Sequence, residues 1–177
     1  MGYIQVGQET LDQNIDGGTA NGTLGYSGDD YVSMSFTPAI TGLCTRLSGE
    51  LKIGAGSPAG IISCFLYSDN AGQPGNLLST LSTLDAATLT SSYVFYDFTK
   101  PFVVAYEILA NTKYHLVLHK LADGANYVHW NQGTNTYAGG NVCYGTNGVS
   151  WTTTAAADND FKEYYTGFSK TGGGFFM

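Results

Sequence analysis

Tyr127, Trp130, Asn131, Gln132 and Tyr137 are the residues whose types and spacing point most directly to chemistry. Sugar recognition needs a flat aromatic against the apolar face of the ring. It also needs planar amides or carboxylates for the hydroxyls. The stretch from Asp123 to Trp151 offers both, with Asn126, His129, Asn135, Asn141, Tyr144 and Trp151 around that group. Trp130 followed by Asn131-Gln132 is its best single cluster. The competing reading is that Trp130 and Trp151 pack the interior of a sandwich.

Other chemistries fare worse. Asp69 and Asn70, with nearby carbonyls, are a candidate calcium site. Calcium takes about six to eight oxygens, and this turn supplies few carboxylates. Asx-type turn bonding explains the same pair, so no cofactor is expected, with calcium as the minor alternative. His115 and His119 share one strand face. At ~3.3 Å per residue they are ~13 Å apart, too far to ligate one ion, and they are expected to face solvent. Asp97, Glu107, Asp123 and Glu163 are available as a glycosidase pair, but none sits in a signature. There is no GxSxG elbow, phosphate loop or dinucleotide fingerprint. No catalytic residue is assigned, and an enzyme is the third-ranked reading.

The elements that must position these residues are strands. The chain has 177 residues, 43% of them apolar and only 12% charged. One domain with one core is the natural size. Gly, Ser, Thr, Asn and Tyr fill the polar positions, which suits short strands and tight turns rather than amphipathic helices. Tyr31–Phe36 alternates, with Val32, Met34 and Phe36 on one face. Leu43–Ile53 is a second run, with Leu43, Thr45, Leu47, Gly49, Leu51 and Ile53 of one parity. Ile61–Tyr67 leads into the turn cluster Asp69-Asn70-Ala71-Gly72-Gln73-Pro74-Gly75, and Leu77–Leu84 follows. A helical turn is expected at Asp85–Leu89. Tyr93–Phe98 carries bulk on both faces and is expected to be central, with Phe102–Tyr106 continuing it past Pro101. Tyr114, Leu116 and Leu118 point inward from the next strand. Tyr127–Trp130, Val142–Tyr144 and Phe161–Phe168 complete the set, with a hairpin turn at Thr146–Val149. About ten strands and almost no helical period give an all-β chain, an antiparallel two-sheet β-sandwich of jelly-roll type.

Net charge is −7, with seven Lys and Arg and no basic run, so neither nucleic acid nor an anionic membrane is an expected partner. No apolar run approaches the ~20 residues of a membrane helix. Met1–Gly7 has no basic region or long apolar segment, so synthesis without a secretory signal is expected. Cys44, Cys64 and Cys143 are odd in number, and Cys44 and Cys64 are read as buried thiols. Residues 1–30 read as a short strand at Tyr3–Val6 and a polar arm. Residues 31–169 form the sandwich. Residues 170–177 are a Gly-rich tail ending in Phe175, Phe176 and Met177, candidate assembly residues.

Tyr67-Ser68-Asp69-Asn70-Ala71-Gly72-Gln73-Pro74-Gly75-Asn76-Leu77-Leu78 resembles a recurrent signature of β-sandwich domains. They occur in secreted multi-domain bacterial proteins of the choice-of-anchor type and in bacteriophage tail, fibre and capsid-decorating proteins. Thr112–Leu118, Tyr137–Gly140 with Tyr144, and Asn147–Trp151 followed by Asp160–Lys162 resemble the same family in the same order. Tyr31–Phe36 resembles its first strand, with Phe36 as the core aromatic. The likeness covers residues 31–169 and is specific for fold rather than function. It implies a non-enzymatic virion structural protein, a capsid decoration, fibre or tail component made in the host cytoplasm. Its partners would be other virion proteins, its own copies and host glycans. The alternative is a carbohydrate-binding module of a secreted or cell-surface bacterial protein.

Overall fold

A computed structural model describes residues 2–133, 137–154 and 157–171. The strands are β1 (Gly2–Ile15), β2 (Ala20–Leu24), β3 (Tyr31–Phe36), β4 (Gly42–Ile53), β5 (Ile61–Asn70), β6 (Gln73–Asp85) and β7 (Val94–Thr99). They continue with β8 (Tyr106–Ile108), β9 (Tyr114–His119), β10 (Val128–Gly133), β11 (Val142–Gly145), β12 (Thr152–Thr154), β13 (Asp158–Asn159) and β14 (Phe161–Thr171). The first sheet has eight strands in the order β1-β14-β4-β10-β13, with β2 also on β10 and β7 and β8 on β4. The second has six, in the order β12-β11-β3-β9-β5-β6. The described pairings are antiparallel. The chain is a jelly-roll-like β-sandwich, as its strand pattern predicts.

The core lies between the sheets. Val32, Met34 and Phe36 of β3, Leu116 and Leu118 of β9, and Cys64 and Leu66 of β5 face it from the second sheet. Leu47, Leu51, Phe98, Trp130 and Phe161 meet them from the first. The alternation that predicts these strands is the one that buries them, because successive side chains leave a strand on opposite sides. All three cysteines are free and buried.

Several expectations change. The polar arm is instead strand: β1 runs 14 residues along β14, with breaks in register after Gln5 and Leu11. The strand expected at Tyr3–Val6 lies within it; beyond Val6 the sequence does not alternate, and pairing to β14 makes it a strand. In β4 the single parity fails at Thr45. Tyr165 faces Cys44 while Tyr164 faces Arg46, so a bulge turns Cys44 to the core and Thr45 to Glu9 and Thr166. β7 is not central but pairs, among the described residues, with β4 alone, and Pro101 is followed by a 3-10 turn over Phe102–Val104 rather than more strand. The turn at Asp85–Leu89 appears as a 3-10 turn over Ala86–Thr88, capped by the Asp85 carboxylate.

The Tyr67–Leu78 motif is a hairpin tip. Ala71 and Gly72 have φ of 53° and 86°, the left-handed pair that reverses adjacent strands tightly. Pro74 is tolerated because β6 is an edge strand. This tip bends over the outer face of the second sheet, where a Cβ on Gly72 would meet the Asn141 amide at 3.2 Å. For that reason Ser33 and Ser35, on the outward side of β3, are fully buried.

Candidate binding site

Register places an aromatic surface on the outer face of the second sheet. Tyr31 pairs with His119, and Ser33 with Val117 and through it Phe65. Ser35 pairs with His115, which pairs with Tyr67. The Tyr31 and His119 rings stack at 4.2 Å. Phe65 lies 6.3 Å from Tyr67 and 6.5 Å from His119. Trp151 sits edge-on to both Tyr31, at 6.2 Å, and Tyr67, at 6.5 Å. These rings are all half-buried. Burial holds the His119 imidazole below its usual range, against the Asp30 charge, so the ring is neutral at pH 7.

Two turns hold Trp151. The Asn147 Oδ1 accepts the N–H groups of Val149 and Ser150 at 2.9 Å each, the Asx geometry of the predicted hairpin turn. Gly148, at φ 70°, lets that loop close on the Tyr31 ring, which a Cβ would meet at 3.2 Å. From the other side the Gln73 amide of the hairpin tip donates to the Trp151 carbonyl and the Thr153 hydroxyl, both at 3.2 Å.

A buried polar chain anchors the tip. His115 is fully buried rather than solvent-facing, because the tip covers it. Its Nε2 donates to Asp69 Oδ1 at 2.9 Å, and its Nδ1 lies 3.5 Å from the Ser33 hydroxyl. Burial pushes His115 down, opposed by the Asp69 bond. Both Asp69 oxygens also accept the Gly72 N–H at 3.2 Å. A Ser–His–Asp chain is therefore present, but Ser33 and His115 have no exposure and no substrate reaches the hydroxyl. Asp69 forms the Asx turn, its oxygens accepting from the Gly72 N–H and from His115.

Beside Trp151 a cleft of about 530 Å³ opens between the edges of the two sheets. Edge strand β2 supplies Asn21 and Thr23, β11 supplies Tyr144, and the flanking loops supply Asp29, Ser150 and Trp151. Asn21 Oδ1 accepts the Tyr93 hydroxyl at 2.5 Å. The Tyr144 hydroxyl accepts from Gln132 Nε2 at 3.0 Å. Burial, and then Asp30, pushes the Asp29 carboxyl up. The cleft thus joins indole and phenol rings to an amide, a carboxyl and hydroxyls, the groups that bind the two sides of a sugar.

The residues expected to bind carbohydrate are not gathered on one surface. Trp130 is 0% exposed and donates its indole N–H to the Asp160 carbonyl at 2.7 Å, so its ring is unavailable as a platform. Its parity explains this: Trp130 shares a face with Val128, both in the core. Asn131 is 5% exposed and directs its amide to Glu50 and Asp160. Tyr137 packs edge-on against Phe161, and its hydroxyl accepts the Thr37 N–H. Tyr127 packs on Tyr26 and His129 at the far end of β10. Gln132 alone of the group reaches the cleft, through Tyr144. Phe175, Phe176 and Met177, and Asn135 with them, lie outside the described residues.

Two features of the first sheet escaped the sequence. On its outer face Arg46, Lys52 and Lys162 lie over the rings of Tyr164, Tyr93 and Phe95 at 3.6, 4.2 and 3.8 Å. Nearby, Asp16, Glu50 and Asp160 bring ligand atoms within 4.8 Å of one another, the group among the described residues able to hold a metal. Burial, opposed by the Gly18 N–H and reinforced by Glu50, pushes Asp160 up to about 6. Burial, then the charges of Glu50 and Asp160, pushes Tyr93 up to about 12. These acids come from three distant stretches, and no local spacing announces them.

No family model matches the chain, and no curated protein matches it. Among solved structures the chain is similar to a "Carbohydrate-Binding Module CBM36 in complex with calcium and xylotriose" at 13% identity. The overlap covers 70% of this chain and 95% of that one, with a TM-score of 0.33. A score of that size leaves the reading of this site to its own geometry.

Proposed function

We propose that this protein is a non-catalytic glycan-binding module whose ligand lies against Trp151 and in the adjoining cleft. One observation carries this reading: an uncharged, half-buried ring surface of Phe65, Tyr67, Tyr31, His119 and Trp151 borders a cleft lined by Asn21, Thr23 and Asp29. Apolar rings with a few convergent polar groups are what an oligosaccharide needs. The test is a broad glycan panel followed by calorimetry on the best ligand. Trp151→Ala is expected to weaken binding at least ~10-fold, about 1.4 kcal/mol, with an unchanged circular dichroism spectrum. A wild-type protein that binds no glycan in the panel, or a variant that binds equally well, would overturn the reading.

A second reading, a virion structural component that assembles with its own copies, has one observation in its favour. Strand β1 ends the first sheet with its outer edge unpaired among the described residues, and it exposes Ile4 at 55% and Val6 at 63%. A long unpaired edge strand with exposed apolar side chains near one end is a template for pairing with another chain. On this reading light scattering finds an oligomer that Val6→Lys dissociates. A wild-type monomer at all accessible concentrations removes it.

A further inference from the structure

We propose that the cleft beside Trp151 selects uncharged oligosaccharides, and that Asp29 is the residue that turns away glycans carrying carboxylate, sulfate or phosphate groups. This inference rests on the glycan reading of the cleft and adds to it a class of ligand.

The lining sets the charge. Among the side chains that line the cleft, Asp29 alone is charged. The cations of the described residues are committed elsewhere. Arg46, Lys52 and Lys162 lie over rings of the first sheet. Lys100 donates to the Thr80 carbonyl, and Lys120, 3% exposed, donates to the carbonyls of Leu121 and Asn126. Lys113 stands at the other end of β9 from His119, the partner of Tyr31, ~20 Å away at ~3.3 Å per residue. An anionic sugar in the cleft therefore meets a like charge and no counter-charge. Like charges a few Å apart cost ~5-fold in affinity in a fully aqueous surround, and more where rings exclude water.

A neutral sugar gains from the same group. A carboxylate offers two acceptor oxygens, and a hydroxyl bonds it roughly twice as strongly as it bonds a neutral acceptor. Among the described residues no protein donor occupies the Asp29 carboxylate, whereas its neighbour Asp30 accepts the Ala122 N–H at 2.8 Å. Asp29 is thus the acceptor left for a ligand.

The backbone holds it in place. Gly25, Ser27 and Gly28 take left-handed φ of 77°, 49° and 99°. The Gly25 N–H donates to the Asp29 carbonyl at 2.8 Å, and the Asp29 N–H donates to the Tyr26 carbonyl at 2.9 Å. Ser27 lacks the freedom of glycine, and those bonds hold the strain it carries. A Cβ on Gly28 would lie 3.1 Å from Thr146 Cγ2, so the loop packs on another residue of the lining. The charge reaches Tyr144 as well: burial pushes that phenol up, the Gln132 bond opposes the rise, and Asp29 adds to it.

The test is calorimetry on the full chain with tetrasaccharides of glucose, galactose and mannose, and with the same three after oxidation of their C6 hydroxyls to carboxylates. At least one neutral probe is expected to bind ~10-fold or more tightly than its oxidised counterpart in dilute salt. That ratio is expected to shrink as salt is raised, a readout that needs no variant. Asp29→Asn keeps the shape of the side chain and is expected to narrow the ratio at least ~5-fold with an unchanged circular dichroism spectrum. Asp97→Asn removes the same charge from the first sheet and is expected to leave the ratio as it is. Oxidised probes that bind as well as the neutral ones, a ratio indifferent to Asp29→Asn, or one that Asp97→Asn narrows equally would overturn the inference and leave the glycan reading standing. Binding to none of these probes would overturn it too, and the wider panel then decides the glycan reading by itself.

Discussion

On the outer face of the first sheet, Tyr93, Phe95 and Tyr164 lie beneath Lys52, Lys162 and Arg46, and Arg46 is itself clamped by Glu9 at 2.6 Å and Asp97 at 2.8 Å. On the outer face of the second, Tyr31, Phe65, Tyr67, His119 and Trp151 lie against one another, with no cation over any of them among the described residues. Both faces are ring-rich, but their rings are engaged differently. A cation over a ring is worth roughly 0.5–1 kcal/mol at exposed sites and occupies the face a sugar would use. Tyr31 and His119 stack on each other, whereas Trp151 meets Tyr31 and Tyr67 at 82° and 76° and is stacked on neither. With so few charges in the chain, where the cations sit decides which face is available to a ligand.

The largest test of this contrast strikes the support of the second face. Asp69→Ala strips the buried His115 of its acceptor and the hairpin tip of its Asx bonds. It is expected to cost about 2–4 kcal/mol in urea unfolding and to loosen Trp151 through Gln73. A loss below about 1 kcal/mol would show that the tip stands without its polar chain.

The two sheets also respond to pH with opposite sign. In the first sheet, burial and then the Asp12 carboxylate push Glu163 from 4.5 up to about 8. The folded chain keeps that proton to higher pH than the unfolded chain. Its contribution is therefore complete below 4.5 and falls as pH rises towards 8, by at most ~1.4 kcal/mol per unit. In the second sheet, burial holds His115 and His119 below 6.5. Their contribution is present above 6.5 and is lost as pH falls through their folded values. Above pH 6.5 the histidine contributions are constant, so urea midpoints are expected to fall from there towards pH 8, and Glu163→Gln is expected to flatten that decline. An alkaline limb unchanged in that variant would assign the slope elsewhere.

The smallest effect belongs to the charged face. Arg46→Met removes two half-buried ion pairs and a ring contact and is expected to cost about 1 kcal/mol, leaving glycan affinity unchanged by calorimetry. A marked loss of affinity would move the ligand to the first sheet.

Much of the fold is legible in the residues. Val32, Met34 and Phe36, or Leu116 and Leu118, alternate strictly, and a two-residue period has one structural meaning. Tyr3–Val6 is legible as a short strand, but the rest of β1 is not, because its Gly, Gln and Asn pattern encodes no period and only its partner makes it extend. The site was half legible. The sequence offers two tryptophans among amides, and composition cannot say which is outside. Parity can: Val128 and Trp130 share a face while polar His129 and Asn131 take the other. Trp151, by contrast, stands in a loop after Asn147-Gly148. Neither the meeting of Asp16, Glu50 and Asp160 nor the burial of His115 could be read locally, since both arise where distant strands and a folded-back hairpin meet.

Whether the second face takes the ligand is tested most directly by the two indole N–H resonances, followed by NMR during titration with a glycan from the panel. The prediction is that the Trp151 signal shifts with ligand and the Trp130 signal, buried on the Asp160 carbonyl, does not. A stationary Trp151 signal at saturation would contradict it.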